Sequence, residues 1–227
     1  MAILRFQGIR GIIAQKMRES LEKTAQLSFF CDMDASALVA ARAAWKDVGV
    51  KIGYEDLIVR ALADLLVDFP QFNAVETREG VEEIPEFNIG CAIALPGALV
   101  APAIFDAGTL SVEEIASKRE DLVARAKIGK LSIQELTGGT ISISNLGLTR
   151  VRHFTPIVNY PQMAIIGLGQ IAPRPWVAAD GEALEVRPIM GLSLTVDHRA
   201  IDGAPAGDFL SALARKLETD VSLPAAR

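Results

Sequence analysis

Apolar residues recur along this chain at two spacings, and the changes of spacing mark out its elements. Over residues 9–24, IRGIIAQKMRESLEKT, the positions Ile9, Ile12, Ile13, Met17 and Leu21 form one stripe with Arg, Lys and Glu between them. That period predicts an amphipathic helix. LSFFCDMDA, residues 27–35, has the apolar and aromatic density of a strand. Asp34 or Ser36 then stands where a cap is needed for the next helix, ALVAARAAWKDVG, which stops at Gly49. Residues 53–70, GYEDLIVRALADLLVDFP, carry a clear helical period and close at Pro70.

Residues 72–95 predict short strands: FNAVETREGVEEI is a hairpin turning near Glu79-Gly80, followed by FNIGCAIAL. ALVAPAIFDAG continues extended. Residues 111–131 return to a helix, opened by a Ser-x-x-Glu capping box at Ser111 and Glu114. SIQELTGGTISISNLGLT turns to Gly, Ser and Thr around one strand, TISISNLG. AIIGLGQIA and EVRPIMGLSLTVDHR are strong strands flanking a polar turn at 179–181, and residues 204–218 form the last helix. Helices and strands interleave without strict βαβ alternation. The prediction is an α/β fold, a two-layer mixed β-sheet with packed helices, forming one domain over 1–227.

Composition narrows the function classes. Half of the 227 residues are apolar, 22% are charged and the mean hydropathy is +0.29, enough for a large core. The net charge is −5 and no basic run of five appears, which argues against nucleic acid as a partner. The start, MAILRFQGIRGII, lacks a signal-peptide core, and no stretch reaches the roughly 20 apolar residues of a membrane span. A cytoplasmic protein off the membrane is expected. Cys31 and Cys91, sixty residues apart in apolar surroundings, predict two small buried hydrophobes rather than a disulfide or a metal site.

The candidate chemistry sits in LTVDHRAIDGA. His198, one of two histidines, lies at a strand's end between Asp197 and Asp202, with Gly203 expected to take a backbone conformation closed to other residues. A histidine that caps a turn or pairs with a carboxylate explains the spacing; so does a base.

DHRAIDG resembles the Asp-His-Arg-x-x-Asp-Gly signature of the 2-oxoacid dehydrogenase acyltransferases, and its His-x-x-x-Asp-Gly part is shared with chloramphenicol acetyltransferases. GIRGIIAQKMRES, FNIGCAIALPGALVAPAI, GGTISISNLG and FTPIVNYPQMAIIGLG are similar to further blocks of that family, in the same order, over about residues 5–218. The resemblance implies a chloramphenicol-acetyltransferase-like fold, a homotrimer with sites at subunit interfaces, and transfer of a short acyl group, acetyl foremost, between coenzyme A and dihydrolipoamide.

By that resemblance His198 is the general base. An imidazole with a pKa of about 6.5 can take the proton of a thiol with a pKa of about 8.5 at neutral pH. Ser144 stabilises the oxyanion from the neighbouring subunit, with Ser142 its competitor on the same strand face. Asp202 holds the turn and His198, paired either with Arg10 or with no arginine, Arg10 being otherwise a solvated helix charge. Asp197 and Arg199 are assigned to packing and turn geometry. Asn159, Pro161 and Gln162 lie near the coenzyme channel, though strand termination at Pro161 also explains that segment. Arg150, Arg152 and His153 either meet coenzyme phosphates or are basic surface. The resemblance implies no metal, and lipoamide, presented on a lipoyl domain, is the second substrate.

The chain departs from the pattern in three places. The sequence opens almost directly on the catalytic blocks, without the family's lipoyl or peripheral-subunit-binding domain, as expected either of an excised catalytic core or of a freestanding enzyme. Its end, LETDVSLPAAR, has little to bury beyond Leu223, so assembly is expected to stop at the trimer. AQLSFF replaces the family's usual Pro-His-aromatic before the second strand. These leave a second possibility: a freestanding acyltransferase using coenzyme A or an acyl carrier protein and acting on a small-molecule hydroxyl or another thiol.

Overall fold

The computed structural model describes residues 6–178 and 181–225. Residues 179–180 of the expected polar turn, and the side chain of Ile9 in the first apolar stripe, lie outside what is described.

The elements follow the predicted order. The first half comprises α1 (Gly8–Lys23), β1 (Gln26–Asp34), α2 (Ser36–Asp47), α3 (Tyr54–Leu65), β2 (Ala74–Glu76), β3 (Val81–Glu83), β4 (Ile89–Cys91) and β5 (Ile93–Leu95). The second half comprises β6 (Ala98–Val100), β7 (Ala103–Ile104), α4 (Val112–Lys127), α5 (Ile133–Thr137), β8 (Ile141–Asn145), β9 (Ala164–Val177), β10 (Leu184–Asp197) and α6 (Gly203–Thr219). Six strands form one sheet in the order β1-β10-β9-β8-β4-β7, with β8 parallel to both β4 and β9 and the other pairings antiparallel. The sheet is therefore mixed, as the uneven alternation predicted. Its core face packs on the helices through Leu38, Ile58, Leu62, Phe72, Ile166, Leu194 and Phe209, all fully buried. Phe72 stacks on Phe209 at 4.0 Å, with Phe69 edge-on to both.

Local signals set several boundaries. Ser111 accepts from the Glu114 amide while Glu114 accepts from the Ser111 amide, the predicted capping box of α4. The hairpin β2–β3 turns on Thr77–Gly80, where Gly80 holds φ 139. A second box, Ser132 with Glu135, opens α5, which at five residues is too short to show a helical period in sequence. The third helix ends at Leu65, five residues short of Pro70. Proline disfavours helical backbone at the residue before it, and Phe69 is non-helical.

The helix forms over the first apolar stripe as expected, and on it Ile13 and Met17 are half-buried while Ile12 is 67% and Leu21 55% exposed. One expectation is corrected here. Gly203 has no positive φ; it is simply the first residue of α6.

The face of the sheet away from the helices is built from small and hydroxyl residues. Ser28 and Thr195 share a 2.7 Å hydrogen bond across β1 and β10, and the Ser193 hydroxyl accepts from the Phe154 amide. The chain after β8 crosses this face. A Cβ on Gly169 or on Gly191 would overlap the Arg152 carbonyl oxygen, so these two glycines form the notch through which the crossing passes.

Candidate active site

β10 delivers His198 to the sheet's end. Its amide donates to the Ala25 carbonyl at 2.8 Å, and a tight turn follows in which the Ala200 and Ile201 amides return to the Asp197 carbonyl. The ring is 43% exposed, free to meet a substrate. Nδ1 lies 3.8 Å from Asp202 Oδ1, beyond hydrogen-bond reach, and the Asp202 side chain is 88% exposed. Asp202 is thus an electrostatic neighbour of the imidazole and not the hydrogen-bonded support expected of it.

Asp197 supports the turn instead. Its buried carboxylate accepts from the Ala25 and Arg199 amides and from the Arg199 guanidinium, which also reaches Glu76. Burial would raise the Asp197 pKa, but these donors outweigh it and hold the group below the usual carboxylate range.

Ser144 lies on β8, half-buried, with no side-chain hydrogen bond among the described residues. Ser142 is spent: it is buried and donates to Gln162 Oε1 at 2.7 Å. The same bond corrects the expectation for Gln162. Its amide is buried between Ser142 and the Gly139 carbonyl and offers nothing to a coenzyme. Pro161 is exposed and its carbonyl accepts from the Glu76 amide, while the Asn159 carbonyl accepts from the Gln162 amide. Arg10 donates to the Gly97 carbonyl at 2.6 Å and does not approach Asp202.

Ser144 and His198 do not meet within one protomer. Ser144 pairs with Gly167, Gly167 pairs with Ser193, and His198 is five residues beyond Ser193. At about 3.3 Å per residue and about 4.8 Å per strand, they are roughly 16 Å apart along the sheet and about 10 Å across it.

Sequence reasoning missed two charged clusters. Asp32 on β1 binds both Arg152, through paired contacts, and His153 Nε2 at 3.1 Å. Burial opposes the Asp32 charge, yet these two partners keep its pKa low. Arg152 and His153 therefore pin the crossing segment and are not loose basic surface. In the second cluster Arg119 grips the buried Asp56 at 2.5 and 3.1 Å, beside Glu55 and Cys91. Burial pushes the Glu55 carboxyl up and the fully buried Cys91 thiol well up. Cys31, half-buried on β1, is pushed up to about 11 by burial first and Asp32 second. Long sequence separations hid both clusters: the first joins β1 to the crossing segment, and the second joins α3 to α4.

A family model for the 2-oxoacid dehydrogenases acyltransferase (catalytic domain) matches residues 2–223. The dihydrolipoyllysine-residue acetyltransferase component of the pyruvate dehydrogenase complex of Mycobacterium bovis is 39% identical over 92% of this chain and 40% of that protein. A probable succinyltransferase component of the 2-oxoglutarate dehydrogenase complex of Schizosaccharomyces pombe is 37% identical over 95% of the chain and 49% of its own length. The chain thus spans about half the length of these relatives. Among solved structures, a dihydrolipoamide acetyltransferase of Azotobacter vinelandii, studied for the roles of a serine, a histidine and an asparagine in its catalytic mechanism, superposes with a TM-score of 0.91. It is 31% identical over 96% of this chain and 92% of that one. A chloramphenicol acetyltransferase, 18% identical over 96% and 97% of the two chains, shares the fold at a TM-score of 0.55. With its family blocks in order from α1 to the DHRAIDG turn and its whole sheet superposed on such a core, the chain belongs to the catalytic-domain family of the 2-oxoacid dehydrogenase acyltransferases.

Proposed function

We propose that this chain transfers an acyl group between coenzyme A and the thiol of dihydrolipoamide, at a site completed by two protomers of a trimer. The observation that carries the reading is the separation just described. The half-exposed imidazole and the unbonded hydroxyl lie at different corners of one protomer, as they must if neighbouring copies supply one each. The Azotobacter relative's histidine and asparagine are four residues apart, the spacing of His198 and Asp202. Another similar structure is the cubic core of a pyruvate dehydrogenase complex, which supports assembly around threefold axes.

The chemistry follows from those two groups. His198 takes the proton of the attacking thiol, and the thiolate adds to the thioester carbonyl. The resulting oxyanion accepts a hydrogen bond from Ser144 Oγ, worth about 2.7–4 kcal/mol for one well-placed donor. The old carbon–sulfur bond then breaks, and the imidazolium returns its proton to the departing thiolate. Asp202 Oδ1 lies 3.8 Å from Nδ1, beside the ring as it carries the proton. Asn159 and Pro161 remain the proposed coenzyme contacts. A lipoyl domain is the proposed carrier of the acceptor, and a cytoplasmic location belongs to the same reading. Among the described residues no helix is long and apolar enough to cross a membrane.

Acetyl and succinyl donors are distinguished by assay. Comparing kcat/KM for acetyl-CoA and succinyl-CoA with dihydrolipoamide as acceptor should show efficient transfer of one, acetyl being the expected donor. His198→Ala should lower it by about 10²–10⁴. Transfer indifferent to that substitution, or transfer only to a small-molecule hydroxyl, would overturn the proposal.

A further inference from the structure

The first turn of α3 carries two acids, Glu55 and Asp56, and they behave differently. Asp56 is satisfied by Arg119 and the Gly53 amide. Glu55 leans over the ends of β4 and β8, where its Oε2 accepts from Asn145 Nδ2 at 3.1 Å. The Cys91 thiol is a second neighbour of this carboxyl. An acid in a helix's first turn gains from the dipole while remaining in water, so turning this carboxyl inward adds a desolvation cost that the helix does not require.

The partner it reaches is the residue next to Ser144. Asn145 uses its amide at both ends: Nδ2 donates to Glu55 and Oδ1 accepts from the Gly147 amide at 2.8 Å. The ladder beside β8 ends here, with Ser144 opposite Gly167 and Asn145 opposite Leu168. Beyond it, among the described residues, only the Leu146 amide, bound to the Leu168 carbonyl, ties the backbone to β9 before the next turn. Ser144 Oγ has no partner of its own to set its direction among the described residues. The hydroxyl's aim therefore depends on how firmly the strand's last residue and the following turn are held.

We propose that Glu55 is a positioning residue for Ser144, acting through the Asn145 amide on the end of β8. This rests on the acyl-transfer reading above. Displacing an oxyanion donor by a fraction of an ångström weakens the bond made in the transition state more than any bond to bound substrate.

The test measures kcat and KM for acyl transfer to dihydrolipoamide in wild type, Glu55→Ala, Glu55→Gln, Asn145→Ala and the double alanine variant. Glu55→Ala should lower kcat by about tenfold with KM within about twofold. Glu55→Gln, whose amide oxygen still accepts from Asn145, should restore most of the rate. Asn145→Ala, which also removes the bond from the Gly147 amide, should lose at least as much as Glu55→Ala, and the double variant no more than Asn145→Ala alone. A wild type without transfer defeats the acyltransfer reading and this inference with it. With an active wild type, an unchanged kcat in Asn145→Ala, a Gln variant as slow as Ala, or additive losses in the double variant would overturn the inference alone.

Discussion

At the scale of single residues, the turn around His198 divides labour between two aspartates that look alike in sequence. Asp197 is buried and multiply bonded; Asp202 is exposed and 3.8 Å from the ring. Removing the guanidinium with Arg199→Ala should leave the Asp197 carboxylate with two backbone donors in a buried setting. The expected loss is about 1–3 kcal/mol, toward the lower end because the guanidinium itself is partly exposed. Urea unfolding checks it. The sign of the pH dependence follows from the lowered Asp197 pKa. Its contribution is fully present above the ordinary aspartate pKa of about 3.9 and fades as pH falls through the lower folded value. Asp197→Asn should therefore flatten the acid side of a stability-versus-pH curve. A variant curve parallel to wild type would contradict that.

At the scale of elements, what the chain needs beyond hydrophobic burial is local closure. Ser111→Ala breaks the reciprocal cap of α4 and should cost about 1 kcal/mol in thermal or urea unfolding. Gly169→Ala acts across elements. Its methyl overlaps the Arg152 carbonyl, so the segment crossing the sheet must lift. Overpacking of this kind costs about 1–3 kcal/mol. Because that segment begins just after Ser144, transfer activity should fall as well, measured beside the unfolding midpoint. Much of this level was legible in sequence: the capping box, the hairpin turn at Gly80 and most helix spans follow from short-range rules. Neither Asp34 nor Ser36 takes the expected cap of α2: Ala35 stands at that place, Ser36 is the first helical residue, and Asp34 only accepts from the Ser36 amide just ahead of it. The short α5 escaped because its cap is visible only when a helix is already suspected.

At the scale of the whole molecule, one surface of α1 keeps apolar side chains exposed. Ile12 and Leu21, with Phe6 and the edge-strand residues Leu27 and Phe30, leave large apolar side chains in water on one protomer. Surfaces of this kind are expected to be covered by assembly. If the site is shared, mixing two inactive variants should recover activity. Ser144→Ala supplies the imidazole, and His198→Ala supplies the hydroxyl. Randomly exchanged 1:1 trimers should regain about a quarter of the wild-type sites, since each site needs one intact contributor from each variant. Activity that stays at the level of the separate variants after verified subunit exchange would place both groups in one protomer.

The sequence by itself determined the order and kind of most elements, the mixed sheet and the family, because periodicity, caps and contiguous motifs are short-range properties. It also singled out His198 and Ser144, each inside its own motif. Only the tertiary structure decided which neighbours are partners. Gln162 was turned inward onto Ser142, Arg10 was taken to Gly97, Asp202 was left in solvent, and Glu55 was brought onto Asn145 across ninety residues of chain. Those contacts depend on strand register and on how the helices lie against the sheet, and both emerge only when distant segments pack together.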